Sequence, residues 1–397
     1  MNNQRLYVWA LIALAVLYFM MGFVTVLNDS LVPYFKQGFS LNYTRSSLVQ
    51  FYFYLTYGLI SIPAGKLVMR TGYKQGMILG FLLAAMGALL FWPAATLHKY
   101  VLFLGALFVI AVGIVLLQVS ANPYITALGS RETAASRLTL IQGIGSVGTT
   151  LAPVFGAHFI LSGIGRSENS SHALIVPYLL IAGVLLLIAG VVWKLRLPVV
   201  HQASARAAYS LWRLLKQFPR LRFGVLALFL YVGAEVGIGT FLTNYTADQL
   251  QISEAKANYF VAYYWGGMLI GRLLGAFALR YVQASRLLLL LAAMATAAVL
   301  LSVNTEGMLS VVLLIGCGLC NSVMFASVFS LSVDGMGPYT GQASGILSTA
   351  IIGGAVLTYV QGYLKDHMGW PAAFCIPALA YIGIFAYARF AGKNKPE

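Results

Sequence analysis

The sequence predicts an all-α integral membrane protein with twelve transmembrane helices, arranged as two pseudo-symmetric bundles of six. Three observations support this fold class. Of the 397 residues, 60% are hydrophobic and 9% are charged, and the mean hydropathy is +0.84. The apolar residues form runs long enough to cross a bilayer, since an apolar core about 30 Å thick needs about 20 helical residues. One long polar stretch, residues 195–222, divides these runs into two equal sets.

Twelve apolar runs follow one another along the chain. The first, Tyr7–Leu27, has one basic residue before it. It is too long for the apolar part of a signal peptide and lacks a small-residue cleavage site, so it is interpreted as a membrane span. The predicted spans are centred near Leu14, Tyr57, Ala84, Val109, Thr149, Val184, Leu230, Gly267, Ala293, Ile315, Ile352 and Ile382.

The basic residues predict the orientation of the chain. If both termini are cytoplasmic, 18 of the 25 lysines and arginines lie on the cytoplasmic side and six on the other, with Arg272 inside a span. Because cytoplasmic loops are enriched in lysine and arginine, this is the predicted topology. A basic inner surface facing the anionic lipids of the bilayer also explains the net charge of +15 better than nucleic-acid binding, for which the sequence has no motif.

The two sets of spans define the predicted domains, which are residues 1–194, a cytoplasmic linker of residues 195–222, and residues 223–397. Internal similarity supports this division, because Tyr57–Gly72 is similar to Gly267–Val282 at an offset of 210 residues. The fifth and eleventh spans are similar at an offset of 206 residues. Parallel repeats of this kind, with a site between them, are a known transporter architecture.

Two acidic residues lie within long apolar runs, Asp29 at the end of the first and Glu235 inside the seventh. A charge at the centre of a membrane helix costs about 2.5–3.5 kcal/mol by insertion scales, so each is a candidate functional residue. The two positions also coincide at the repeat offset of 206 residues. Removing a carboxylate from water disfavours its charged form, so a conformational change that wets and then dries Asp29 would load and unload a proton.

Other roles stay open for both acids. Ionised Asp29 could bind sodium instead of a proton, or it could simply end the first helix near the membrane surface, since it follows about 22 mostly apolar residues. The neutral oxygens that could complete a sodium site belong to Asn28, Thr25 and Gln118. Glu235 could form an ion pair with Arg272, accept hydrogen bonds from a polar ligand, or act as a second titratable group.

The loop between the second and third spans contains the motif GKLVMRTGYK. It resembles the pattern G-x-x-x-D-R-x-G-x-K of the major facilitator superfamily, with Met69 at the acidic position. The matching positions are Gly65, Arg70, Gly72 and Lys74. The resemblance implies the major facilitator fold and a gating role for this loop, without the latch that the acid provides in many members. Positive-inside topology is the alternative explanation of the two basic residues.

Five short segments give a narrower resemblance. They are NDSLVP at Asn28–Pro33, IPAGKL at Ile62–Leu67, FWPAA at Phe91–Ala95, SANPY at Ser120–Tyr124 and YVGAEV at Tyr231–Val236. Together they resemble the L-fucose/proton symporter family, which includes bacterial glucose/galactose transporters. The resemblance implies sugar uptake, proton coupling at Asp29, a monomer, and a bacterial inner (plasma) membrane location. In that family a second acid lies four residues before the position of Asn122, where this chain has Gln118, an amide that cannot titrate.

A sugar is polar but uncharged, so its site calls for amides and hydroxyls on helix faces and for aromatic rings that pack on the sugar ring. Gln118 and Asn122 share a helix face because they are four residues apart. The resemblance places Glu235 beside the central cavity. The predicted substrate-binding residues are Gln118, Asn122, Gln142, Glu235, Asn321, Tyr264 and Trp265, and the predicted cation-coupling residues are Asp29 and Asn28. Helix packing is the alternative role of these amides and aromatics.

The predicted function is secondary active transport of a hexose such as glucose, galactose or fucose, by symport with H⁺ or, alternatively, Na⁺. A proton-driven drug or sugar exporter and a non-transporting sugar sensor are the other hypotheses. The sequence contains no nucleotide-binding loop and no pairing of a nucleophile with a base, so neither an enzyme nor a cofactor is predicted. Cys317 and Cys320 lie within a span without a second ligand pair, so they are interpreted as packing residues and not as metal ligands.

Overall fold

The computed structural model describes residues 3–29, 31, 35, 39, 48–155, 174–198 and 210–393. Within these ranges, the side chains at 3–6, 28–29, 48–51, 153–154 and 254–255 are not described. The described chain is helical and contains no β-strand. Its secondary structure is therefore all-α, as the sequence predicts.

Every predicted span centre falls in a helical stretch of the described chain. The first six spans are the helices Asn3–Asp29, Leu48–Thr71, Tyr73–Leu89, Tyr100–Ala127, Ala134–Phe155 and Ile175–Lys194, with the short helix Phe91–Thr96 continuing the third. The seventh to ninth are Pro219–Leu250, Glu254–Ala278 and Ala284–Val303. The tenth consists of Gly307–Asn321 and Met324–Val333, and the last two are built from Thr340–Thr349, the 3₁₀ turn Ala350–Ile352 and the helix Gly353–Lys393. A further short helix, Leu211–Gln217, lies in the linker.

Nine helical stretches of the described chain are long and apolar enough to cross a membrane. One of them, Gly337–Lys393, has 57 residues and contains two spans, because Gly369 leaves the helical conformation with a φ of 81°. Glycine adopts a positive φ without the steric penalty of a side chain. The second and fifth helices, of 24 and 22 residues, complete the predicted set of twelve.

The chain divides into two compact units. Unit 1 contains Met1–Leu128, Ile144–Ala208 and Ser344–Ser348, and unit 2 contains Gly129–Gly143, Tyr209–Ala343 and Thr349–Glu397. Within unit 2, Ser136 Oγ donates a hydrogen bond of 2.5 Å to the carbonyl oxygen of Ala276, which joins the start of the fifth helix to the eighth. Within unit 1, a methyl group placed on Gly345 would lie 2.9 Å from Gly65 Cα. The predicted boundaries at residues 194 and 222 stay a prediction.

The first residues of the linker are bonded to unit 1. Lys74 Nζ donates to the carbonyl oxygens of Trp193 and Leu195 at 2.7 and 2.8 Å. Tyr124 Oη donates to the carbonyl oxygen of Pro198 at 2.9 Å. Because the last carbonyls of a helix have no intrahelical partner and carry partial negative charge, the Lys74 ammonium caps the sixth helix. The linker therefore leaves the sixth helix in a fixed direction.

Candidate functional site

Unit 2 contains the predicted acid of the seventh helix beside an arginine of the eighth. Arg272 Nη2 lies 3.9 Å from Glu235 Oε1, and the two side chains are 17% and 13% exposed. This is the ion pair that the sequence suggests as an alternative role for Glu235. A separation of 3.9 Å is longer than a hydrogen bond, so the carboxylate keeps the capacity to accept hydrogen bonds from a ligand.

Four buried polar side chains form a hydrogen-bond network next to this pair. Asn321 Nδ2 donates to Tyr264 Oη at 2.8 Å, and Tyr381 Oη donates to Asn321 Oδ1 at 2.8 Å. Tyr264 Oη donates to the backbone carbonyl of Glu235 at 3.0 Å. Tyr231 Oη completes the network by donating to the backbone carbonyl of Asn321 at 3.3 Å. The network joins the seventh, eighth, tenth and twelfth helices around Glu235.

The predicted sugar-binding residues of unit 2 therefore have different surroundings. Asn321 and Tyr264 are fully buried, and the amide of Asn321 is hydrogen-bonded at both ends. Trp265 is 45% exposed, and its ring packs against the seventh helix, where a methyl group on Gly239 would lie 3.0 Å from Trp265 Cζ2. Of these three side chains, that of Trp265 retains the surface that a sugar ring could contact.

Gln142 also belongs to unit 2 and is buried. The next residue, Gly143, lies against the eighth helix, since a methyl group placed on it would be 3.5 Å from Arg272 Cβ. The fold thus brings the backbone next to Gln142 close to the base of the Arg272 side chain, although these residues are far apart in the chain.

Unit 1 contains the two predicted amides of the fourth helix, and each is bonded to a tyrosine of another helix. Tyr57 Oη, in the second helix, donates to Gln118 Oε1 at 2.7 Å. Tyr18, in the first helix, donates to Asn122 Oδ1. Gln118 is 8% exposed and Asn122 is fully buried. Asn122 Nδ2 has no hydrogen-bond partner among the described residues.

The predicted cation-coupling residues, Asn28 and Asp29, end the first helix. Their side chains lie outside the described residues, so their role stays a prediction. Thr25, one turn earlier, is described, and its Oγ1 donates to the carbonyl oxygen of Met21 at 2.7 Å. The described part of the chain contains no cluster of three or more histidine, cysteine, aspartate or glutamate side chains that could hold a metal ion.

The residues of the predicted gating loop have distinct positions. Gly72 has a φ of 89° and separates the second helix from the third, a conformation that favours glycine. Gly65 is buried where Gly345 approaches it. Arg70 is exposed, and Lys74 caps the sixth helix. The gating role stays a prediction, and the structure gives Lys74 a structural role that its motif does not indicate.

Comparison with known proteins identifies the family. The profile of the Major Facilitator Superfamily matches residues 14–357, which is most of the chain. The chain belongs to the major facilitator superfamily. This superfamily member is 44% identical to a glucose/galactose transporter of Brucella abortus, over 99% of this chain and 96% of that protein. It is 34% identical to the L-fucose-proton symporter of Escherichia coli, over 98% of this chain and 94% of that protein.

A solved structure agrees with these relatives. The crystal structure of the major facilitator transporter FucP in the outward conformation has a TM-score of 0.89 and 33% sequence identity, and the match covers 97% of this chain and 99% of that one. The predicted fold class, an all-α membrane protein with the twelve-helix major facilitator fold, is confirmed. The resemblance to the L-fucose/proton symporter family is confirmed as well.

Sequence reasoning missed three tyrosines of this major facilitator protein that bond to its buried asparagines. Tyr18 and Tyr381 donate to side-chain amides, and Tyr231 donates to the backbone carbonyl of Asn321. A tyrosine inside an apolar span is a usable indication, because its buried hydroxyl needs a hydrogen-bond partner. Helical spacing does not say which partner it has. The tyrosines bonded to Asn122 and Asn321 through their side chains are 57 to 104 residues away from those amides in the chain.

Proposed function

We propose that this chain is a secondary active transporter that takes up a hexose, such as glucose, galactose or fucose, together with a proton by alternating access. The observation that carries the proposal is the 44% identity, over 99% of the chain, to a protein named as a glucose/galactose transporter. The identity of 34% to an L-fucose-proton symporter supports H⁺ as the coupled ion. Sodium is the alternative ion. Because the relatives are named as transporters, the chain is assigned to transport and not to catalysis.

Proton coupling is assigned to Asp29, with Asn28 beside it. A carboxyl group that moves between water and a dry interior changes its proton affinity, and this change can drive loading and release. Gln118 occupies the place where the symporter family has a second acid, and an amide does not titrate. Asp29 is therefore the main residue of this chain proposed to carry the proton.

Sugar binding in unit 2 is assigned to Glu235, Arg272 and Trp265. A sugar hydroxyl is both a donor and an acceptor, so it can donate to the carboxylate and accept from the guanidinium of the pair at 3.9 Å. The exposed surface of Trp265 suits the apolar face of a sugar ring. Asn321 and Tyr264 support this site by fixing the backbone at Glu235, because their polar atoms are bonded to each other and to that backbone.

The chain is a multi-pass membrane protein. We place it in a bacterial inner membrane as a monomer with both termini in the cytoplasm. In this arrangement residues 1–194 and 223–397 are the two six-helix bundles, and residues 195–222 are the cytoplasmic linker. The loop that contains Gly65, Arg70, Gly72 and Lys74 then lies on the cytoplasmic side, where it would control access from the cell interior.

Uptake by the purified protein in proteoliposomes tests the proposal. Radiolabelled glucose, galactose and fucose are offered separately, with an inward proton gradient or an inward sodium gradient. We expect accumulation of at least one hexose with the proton gradient, and we expect Asp29→Asn to abolish accumulation while it preserves exchange of labelled for unlabelled sugar. Exchange is preserved because it requires no net movement of the proton.

Asp366→Asn is the matched control, since this carboxylate is 70% exposed and lies 3.6 Å from its neighbour Lys365. It should accumulate sugar as the wild type does. Accumulation by Asp29→Asn would refute the coupling assignment, and accumulation with sodium alone would favour the other ion. Sugar binding without any flux would point to the sensor, and sugar efflux driven by an inward proton gradient would point to the exporter.

A further inference from the structure

The fourth helix contains two side-chain amides, Gln118 and Asn122, whose oxygen atoms each already accept a hydrogen bond. Tyr57 donates to Gln118 Oε1 and Tyr18 donates to Asn122 Oδ1. We infer that these two tyrosines orient the amides so that the fourth helix contacts the substrate through N–H donors, and that it therefore recognises acceptor oxygens of the sugar. The inference rests on the proposed function. It adds that the fourth helix is the hydrogen-bond donor to the sugar, and that Tyr57 and Tyr18 fix this direction.

The orientation of Gln118 follows from the hydrogen-bonding needs of its partner. Tyr57 is 4% exposed, so its hydroxyl hydrogen cannot be satisfied by bulk water. Gln118 Oε1, at 2.7 Å, is the acceptor that the described residues provide for it. If the amide were turned over, an N–H would face the hydroxyl oxygen and the hydroxyl hydrogen would lose its acceptor. The bond therefore holds the NH₂ group of Gln118 away from the Tyr57 hydroxyl.

Asn122 repeats the arrangement one turn further along the same face of the helix. Its Oδ1 accepts from Tyr18, and its Nδ2 is enclosed without a hydrogen-bond partner in the described part of the chain. A buried donor without an acceptor is unfavourable, and its presence in a binding protein points to an acceptor supplied by the ligand or by a bound water. The two NH₂ groups together make this face a hydrogen-bond donor.

Because this face of the fourth helix presents N–H donors, it favours binding of a sugar over binding of a cation. A sodium ion needs several oxygen ligands, and the amide oxygens of Gln118 and Asn122 each already use one of their two lone pairs on a tyrosine hydroxyl. The N–H groups that remain carry partial positive charge and repel a cation. The ring oxygen and the hydroxyl oxygens of a hexose are neutral acceptors, and they fit a face that donates.

Deoxy and deoxyfluoro sugars test the inference, because a C–F group accepts a hydrogen bond weakly but cannot donate one, and a C–H group does neither. The assay is inhibition of labelled hexose uptake into proteoliposomes by each analogue, position by position around the ring. For the wild type we expect one position at which the deoxy analogue inhibits about three- to tenfold more weakly than the deoxyfluoro analogue. In Tyr57→Phe the amide can turn over, so this gap at the same position should shrink to about twofold or less.

Tyr124→Phe is the matched control, since Tyr124 is also a buried tyrosine of unit 1 but donates to Pro198 in the linker. It should keep the gap. Gln118→Leu, which has no N–H donors, should lose it and serves as the second variant if Tyr57→Phe does not fold. Equal weakness of the deoxy and deoxyfluoro analogues at every position would overturn the inference, as would an unchanged gap in Tyr57→Phe or in Gln118→Leu. Absence of hexose uptake by the wild type would instead reject the proposed function.

Discussion

Replacing Gly113 by alanine should push the fourth helix away from the third. A methyl group on Gly113 would lie 2.5 Å from the Ala84 nitrogen, 2.6 Å from the Gly80 oxygen and 2.9 Å from Ala84 Cα. Ordinary van der Waals contact begins near 3.4 Å. All three neighbours are backbone atoms that cannot rotate aside, so the helices must separate locally by roughly 0.9 Å, and such overpacking costs about 1–3 kcal/mol.

Gly105→Ala, on the same helix, is the control that separates the effect of the steric clash from the effect of adding a methyl group. A methyl group on Gly105 has no atom within 4 Å, so this variant gains the same helix propensity, about 1 kcal/mol, without the overlap. Gly113→Ala should therefore be less stable than Gly105→Ala by about 1–3 kcal/mol. The displacement also changes the position of Gln118 relative to Tyr57, so it should disturb their bond of 2.7 Å and raise the KM for the sugar about three- to tenfold.

Thermal unfolding in detergent and initial uptake rates in proteoliposomes measure the two effects. The unfolding midpoint of Gly113→Ala should lie roughly 1–4 °C below that of Gly105→Ala. Equal midpoints and equal KM values for the two alanine variants would refute the reasoning, because they would show that the fourth helix can accept the methyl group without moving.

Three further substitutions test other parts of the fold and site. Asp334→Asn removes the charge that pairs with buried Arg220 at 3.2 Å, so the free energy of unfolding should fall by about 1.5–3 kcal/mol; an unchanged thermal midpoint would contradict this. Lys74→Met frees two carbonyls at the start of the linker, so limited proteolysis within residues 195–222 should be faster than in Lys66→Met, whose side chain is exposed; equal cleavage rates would argue against the cap. Trp265→Ala should raise the KM for sugar about three- to tenfold, with Trp265→Phe between it and the wild type, and no change would remove Trp265 from the site.

The spans were predictable because a segment that crosses the lipid must be a long apolar helix, and a long apolar segment can be recognised from its amino-acid composition alone. Each predicted centre lies in a helical stretch, including Ile352, which falls in a 3₁₀ turn. The interruptions within spans were not predictable. The tenth span breaks between Asn321 and Met324, and no glycine or proline marks that point in the sequence. Such breaks depend on tertiary contacts.

The sequence predicted which residues form the candidate site better than it predicted the hydrogen-bond partner of each residue. Glu235 and Arg272 lie in adjacent spans, so their proximity could be proposed from the sequence, and the structure places them 3.9 Å apart. The tyrosines could not be assigned to amides, because a hydroxyl at the end of a long ring reaches across to another helix whose rotation the sequence does not specify. The partners of Lys74 could not be predicted either. Its motif suggests gating, but its ammonium group bonds carbonyl oxygens at the end of the sixth helix.

Two buried asparagines show how hydrogen-bond partners determine whether an amide is available to bind sugar. Asn122 and Asn321 are both in apolar spans, and both were expected to bind sugar. The Asn321 NH₂ group donates to Tyr264 Oη, and Asn321 Oδ1 accepts from Tyr381 Oη. The amide therefore links helices of unit 2, and both its oxygen and its NH₂ group are already hydrogen-bonded. Asn122 has a partner for its oxygen and none, in the described chain, for its nitrogen. Loss of the Asn321 amide should therefore appear first in stability, and loss of the Asn122 amide should appear first in sugar affinity, although the two residues are chemically identical.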